Sequence, residues 1–269
     1  MVKNFISVSG VSDRCQLGSI GKIYQEEKLS FPLTIGYQVS SMSINQGTQN
    51  PRQPAFKELE DLCRETLDNG FIPALHYYTK DNKTILKDME KIVKAVIAPS
   101  FSLVQFNTLP QPIELLRKVK ETGFGIIFKV AVSDKQSSQG GYKVWKGESV
   151  QDANTGEVSP LLDQVALRAD FLDYAMFDPS HGTNLGLNLA EESLAIRFGK
   201  GLVERRDLDH LGLIYAGGIK PANVREVTKS LKSFFSGRFS VDTESGVRIE
   251  NKLDLGLVKD YLVNSQFAI

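Results

Sequence analysis

Eight short apolar runs, each followed by a segment of helical period, constrain the fold of this chain more than any other feature. The runs are Phe5–Val8, Leu33–Val39, Phe71–Tyr78, Phe101–Phe106, Gly125–Val132, Phe171–Phe177, Gly212–Ala216 and Phe239–Val241. Each is nearly continuous in apolar residues, the pattern of a parallel strand covered on both faces. Between the runs the period changes to about 3.6 residues. Phe56, Leu59, Leu62, Cys63 and Leu67 form one helical stripe that Gly70 is placed to end. Ile85, Leu86, Met89, Ile92, Val93, Val96 and Ile97 form the next, with Asp81 as the expected N-cap. Pro112 opens a helix ending near Gly123, Ser159-Pro160 supplies an N-cap and first helical residue, and Leu255, Val258, Tyr261 and Leu262 mark the last helix. The segment Leu17–Lys28 is the least regular, because Gly18 and Gly21 interrupt it. Strict alternation of strand and helix gives a parallel sheet, and eight units close into a (β/α)8 TIM barrel. The expectation is one barrel domain over residues 1–269, with its chemistry at the C-terminal ends of the strands.

Composition narrows the partners. Lys+Arg and Asp+Glu stand at 32 each, so no global field attracts nucleic acid or an anionic membrane, and neither is an expected partner. Two cysteines, Cys15 and Cys63, make no disulfide framework, and Cys63 falls on an apolar helix face as a small hydrophobe. The opening MVKNFISVSGVSD has no signal-peptide apolar core, and no stretch reads as a membrane span, so the cytoplasm is the expected compartment. The Asn82-Lys83-Thr84 sequon matters only in a secreted protein. Two strand-to-helix connections are long, at about 40–55 and 134–158. Both lie on the catalytic face, where such loops act as lids or substrate walls. Tyr142, Val144 and Trp145 suit a packed loop rather than a solvated linker.

The strongest local signal is Ala216-Gly217-Gly218-Ile219-Lys220-Pro221-Ala222-Asn223-Val224, a strand that ends in two glycines before a helix. Glycines at such a turn let backbone N–H groups approach an anion, and the loops after strands seven and eight are the usual phosphate site of this fold. The other reading is a tight turn without a ligand. After strand eight comes Val241-Asp242-Thr243-Glu244-Ser245-Gly246-Val247-Arg248. Together these segments, with Lys259-Asp260, resemble the C-terminal part of phosphoribosylanthranilate isomerase. The resemblance implies an Amadori aldose–ketose isomerisation of a phosphoribosylated amine, of the tryptophan-biosynthesis type, with no cofactor. It assigns phosphate binding to Gly217, Gly218, Asp242, Ser245 and Gly246.

Upstream the resemblance is thinner. Asp178, after Tyr174-Ala175-Met176-Phe177, matches the family's general acid. Gly182-Thr183-Asn184-Leu185-Gly186 resembles its Gly-Gly-Thr-Gly loop, and Val104-Gln105-Phe106 matches a Val-Gln-Leu after strand four. Asn50-Pro51-Arg52 matches a Ser-Pro-Arg whose arginine meets the substrate carboxylate, and Ser7-Val8-Ser9-Gly10-Val11-Ser12 falls on Lys-Ile-Cys-Gly-Ile-Thr. The assignment is then Asp178 and Ser9 as catalytic, with Arg52, Gln105 and Lys129 binding substrate. Ser9 departs from the family's catalytic cysteine, and a hydroxyl is a far poorer base than a thiolate without an activating partner. Glu244 departs from a phosphate-binding serine and repels a phosphate unless a cation intervenes, for which Arg248 is a candidate. The long loops have no counterpart in the family pattern.

Residue chemistry leaves alternatives open. The reaction needs an acid to open the furanose and a base at C2′. Asp178 at a strand end suits the acid, or it caps the following helix. Asp13, Cys15, His76 and His181 are substitutes for Ser9 as base. Asp178, His181 and His76 are too scattered to read as a metal site, so no metal is expected. Lys129, inside an apolar strand, serves a phosphosugar, forms a Schiff base or finds a buried partner. The expected partner is a small phosphorylated sugar-amine. The alternative is a diverged barrel of the same family that acts on, or only binds, another phosphosugar. Homo-oligomerisation stays open.

Overall fold

Ile6–Ser9, Leu33–Ser40, Ile72–Tyr78, Leu103–Phe106, Gly125–Val130, Tyr174–Phe177, Gly212–Tyr215 and Ser240–Thr243 are the eight strands, each parallel to its neighbour in the chain. The eighth returns to the first and closes a TIM barrel, with Ile6 beside Val241 and Ser7 beside Asp242. The computed structural model describes residues 4–47, 50–79, 81–95, 102–107, 111–130, 132–133, 141–146, 149–153, 157–179 and 186–266.

Helices fill the connections at Arg14–Glu26, Leu59–Asp68, Ile85–Ala95, Ile113–Glu121, Ser159–Ala166, Leu194–Glu204, Val224–Phe235 and Leu255–Ser265. The first forms despite its glycines. Asp13 caps it by accepting from the Gln16 N–H at 2.9 Å, and Gly21 makes room for Asn69, whose Oδ1 would lie 2.9 Å from any Cβ there. Asp81 caps a short 3-10 turn, 82–84, rather than the helix that follows, and Ser159 is itself the first helical residue. Val96 and Ile97 lie outside the described residues. After strand two, Ser40 and Ser43 form a reciprocal capping box that starts a short helix, Ser41–Gln46. After strand five, Val132–Ser133, Gly141–Lys146 and Ser149–Ala153 make a three-stranded antiparallel sheet, while 134–140 lie outside the described residues. Among the described residues no helix is long and apolar enough to cross a membrane.

Two apolar layers flank the sheet. The larger lies between strands and helices and includes Ile35, Tyr37, Val104, Ile126, Phe198 and Leu231. The smaller fills the barrel interior with Phe5, Ala74, Leu103, Ile127, Tyr174, Met176 and Ile214, where Phe5 meets Tyr174 edge-on at 5.3 Å. Each large apolar side chain buried in this way contributes about 1.5–3 kcal/mol. Strand side chains alternate between faces, so two residues beyond this floor the same interior face presents His76, Gln105, Lys129 and Asp178. An apolar plug thus gives way to a polar mouth at the C-terminal end of the barrel.

Candidate functional site

That mouth is a cavity of about 320 Å³. Among its lining residues are many that the sequence singled out: Arg52, His76, Gln105, Lys129, Asp178, Gly217, Gly218, Asp242, Glu244 and Ser245. Gln38, Tyr78, Asn107 and Thr243 join them. Gln38 and His76 stand beside each other in register, as do His76 and Gln105, so three neighbouring strands put a polar group at one level. Gln105 donates to Asn107 Oδ1 at 2.6 Å. Its own buried Oε1 has no partner among the described residues, leaving an acceptor on the cavity wall.

Ser9 is fully buried and is not among the residues of the wall. Its hydroxyl donates to Asp242 Oδ1 at 2.6 Å and lies 3.5 Å from His76 Nε2 and 3.4 Å from the Ser7 hydroxyl. It packs on Gly36, where an added Cβ would come within 2.3 Å of the serine oxygen. The serine that sequence placed as the base is therefore a buried donor to a carboxylate. Asp242, 8% exposed, lines the cavity. Burial pushes its carboxyl above the usual range, while His76 and the Ser7 and Ser9 hydroxyls pull it back and Glu244 adds to the rise. The resemblance made Asp242 a phosphate residue, but these surroundings suit a group that holds and releases a proton.

Lys129 Nζ contacts Asp178 Oδ2, and both side chains are largely buried. The strand lysine thus has a carboxylate partner one strand away, since strands five and six pair with Lys129 beside Met176. Asp13, a substitute base in sequence terms, is a helix cap, and Cys15 is exposed on that helix. Cys63 is buried, which pushes its thiol up to about 12. His181 and the stretch 182–185 lie outside the described residues. Among the described residues no three His, Cys, Asp or Glu side chains gather as a metal site.

The two glycines have φ of 102° and 64°, left-handed conformations that a Cβ disfavours. Asn223 ties this turn by donating to Gly218 O at 3.0 Å and accepting from Lys220 N–H at 2.8 Å, and Thr243 donates to Ile219 O at 2.7 Å. Gly246 passes so close that an added Cβ would lie 2.0 Å from Ile219 O. The turns after strands seven and eight are locked together, and Gly217, Gly218 and Ser245 line the cavity wall. Gly246 acts in this packing and is not among the wall residues.

Glu244, also on the wall, meets Arg52 Nη1 at 2.9 Å, and Arg52 Nη2 reaches Asn251. Arg248, the cation that sequence offered to Glu244, instead donates to Gly10 O and to Asn251 O. Burial lowers its guanidinium pKa, against the pull of Glu244.

A closed barrel with a polar, strand-end cavity defines the class. No family model and no curated protein sequence matches the chain. Solved structures do match. Triosephosphate isomerase from Bartonella henselae has a TM-score of 0.58 at 11% identity, covering 99% of this chain and 99% of that one. N-(5'-phosphoribosyl)anthranilate isomerase from Pyrococcus furiosus has a TM-score of 0.55 at 17% identity, covering 98% and 99%. A native KDPGal structure has a TM-score of 0.52 at 10% identity, covering 98% and 93%. At these identities the likeness establishes the TIM-barrel fold.

Proposed function

We propose that this barrel is an acid–base isomerase of a phosphorylated sugar-amine, an Amadori aldose–ketose enzyme resembling phosphoribosylanthranilate isomerase. The observation that carries the reading is one cavity shared by two buried proton-handling groups, the Lys129–Asp178 pair and Asp242, beside the Gly217-Gly218 turn. Backbone N–H groups of the two interlocked turns are the phosphate donors. Gln105 Oε1 accepts a sugar hydroxyl. Asp178 and the Lys129 ammonium touch, and the proton that opens the ring comes from this pair. Asp242, raised by burial and steadied by Ser9, then takes the C2′ proton, and its proximity to His76 helps disperse it. The proton given to the ring oxygen and the one taken from C2′ balance, and no cofactor enters.

Complementation of a tryptophan auxotroph lacking the isomerase, with NMR of sugar turnover by purified protein, tests this. Asp178→Asn and Asp242→Asn are each expected to cut turnover by about 10²-fold or more. Full turnover in Asp242→Asn would remove the base assignment, and no turnover of any phosphoribosylated amine by the wild type would remove the reaction. A second reading, a diverged barrel taking another phosphosugar or only binding it, draws support from Ser9 lying off the wall and from Arg52 being engaged by Glu244.

A further inference from the structure

The lysine and arginine side chains on the cavity wall, among the described residues, are already engaged. Arg52 holds Glu244 and Lys129 holds Asp178, while Asp242 adds a third acid. Backbone donors take one phosphate without help from these cations, but a second anionic group on the substrate would find no unengaged lysine or arginine among the described residues of the wall. Beyond Tyr78, which belongs to both walls, a second cavity of about 600 Å³ opens between the loops after strands two and three. Ser40, Gln46, Asn50, Gln53 and Thr79 line it, and its only ionic side chain among the described residues is Asp81. Met42 and Tyr78, both largely exposed, add apolar surface on which a planar group can lie.

We infer that the substrate's amine arm is neutral and hydrogen-bonding, of the carboxamide class, and that Glu244 sets this preference by occupying Arg52. The inference rests on the phosphosugar reading above and deepens it. A carboxylate arm would have to displace Glu244 from Arg52, leaving two carboxylates around one guanidinium. A carboxamide displaces nothing, and it both donates and accepts hydrogen bonds, as the amides and hydroxyls of the second cavity require. Glu244 and Arg52 lie 192 positions apart on loops either side of strand one, so the preference is a property of the assembled mouth.

Two conjugates made by reductive amination of ribose 5-phosphate, one with anthranilate and one with anthranilamide, differ only in this charge. Calorimetry with the whole protein is expected to show the amide conjugate bound about tenfold more tightly. Glu244→Gln frees Arg52 and should abolish or invert that ratio, while Arg52→Gln leaves Glu244 bare and should widen it. Equal binding of the two conjugates by the wild type, tighter binding of the carboxylate, or an unchanged ratio in both variants would overturn the inference. Ribose 5-phosphate alone, titrated into every protein, separates the failures. If it binds and the conjugates do not differ, the phosphosugar reading stands and this preference falls; if neither it nor either conjugate binds the wild type, both fall.

Discussion

Replacing Ser9 by alanine isolates the bond that defines the state of Asp242. The side chain is fully buried, so Ser9→Ala opens little space and chiefly removes the 2.6 Å donor to Oδ1. A bond to a neutral carboxyl is worth about 1 kcal/mol, and one to a carboxylate about 2 kcal/mol. The variant should therefore lose about 1 kcal/mol where Asp242 is protonated and about 2 kcal/mol where it is ionised. The difference of about 1 kcal/mol amounts to roughly 0.7 of a pKa unit added to an already raised carboxyl. The sign follows from that direction. Because the native carboxyl lies above its unfolded value of about 3.9, the stability linked to its proton is complete below that value and is lost as pH climbs through the native one. Ser9→Ala moves the upper end of this window to higher pH and deepens the alkaline loss. Urea unfolding of both proteins from about pH 4 to about pH 9 measures it, and the acidic limb of any turnover profile, which the ionisation of the base sets, should move to higher pH in the same way. A pH-independent difference, or none, would refute the charged bond and with it the pairing of Ser9 to Asp242.

Gly246→Ala forces a Cβ against Ile219 O, a backbone atom that cannot step aside, and should cost about 1–3 kcal/mol in urea unfolding and weaken phosphate binding. An unchanged midpoint would mean that the two turns are not locked. Glu244→Ser removes a carboxylate from the wall and frees Arg52, so inorganic phosphate should bind more tightly by about 1 kcal/mol in calorimetry; weaker binding would show that the turn does not hold phosphate.

The barrel was legible because strands covered on both faces announce themselves as apolar runs, and all eight runs overlap strands of the barrel. Their ends were less legible, for a reason tied to function. The run Phe239–Val241 stops where polarity begins, yet the strand continues through Asp242 and Thr243, whose polar side chains are what a strand presents to the mouth. The opposite error occurs at Phe171, apolar and adjacent to a strand but belonging to a 3-10 turn that packs outside it. Residues at the mouth could be chosen one at a time from strand-end position, as Lys129, Asp178 and Gln105 were. Their pairings could not. Nothing local tells Arg52 that Glu244 rather than a substrate will meet it, or that Ser9 will turn to Asp242. His76 was the hardest to weigh, since a histidine in an apolar strand looks alike whether it faces the core or the mouth, and only the phase of the strand decides.

Ser9 and Asp242 are 233 positions apart, and the strands that carry them meet only at the closing seam of the barrel. During synthesis the first partner is made early and waits, buried against nothing, until almost the whole chain has followed. A nascent or truncated polypeptide can assemble several βα units and still lack the Ser9–Asp242 bond, so on the proposed reading turnover would appear in one step when the last strand docks. Separately expressed halves should show none of the proposed turnover alone and gain it only on mixing, which would make that turnover a reporter of barrel closure.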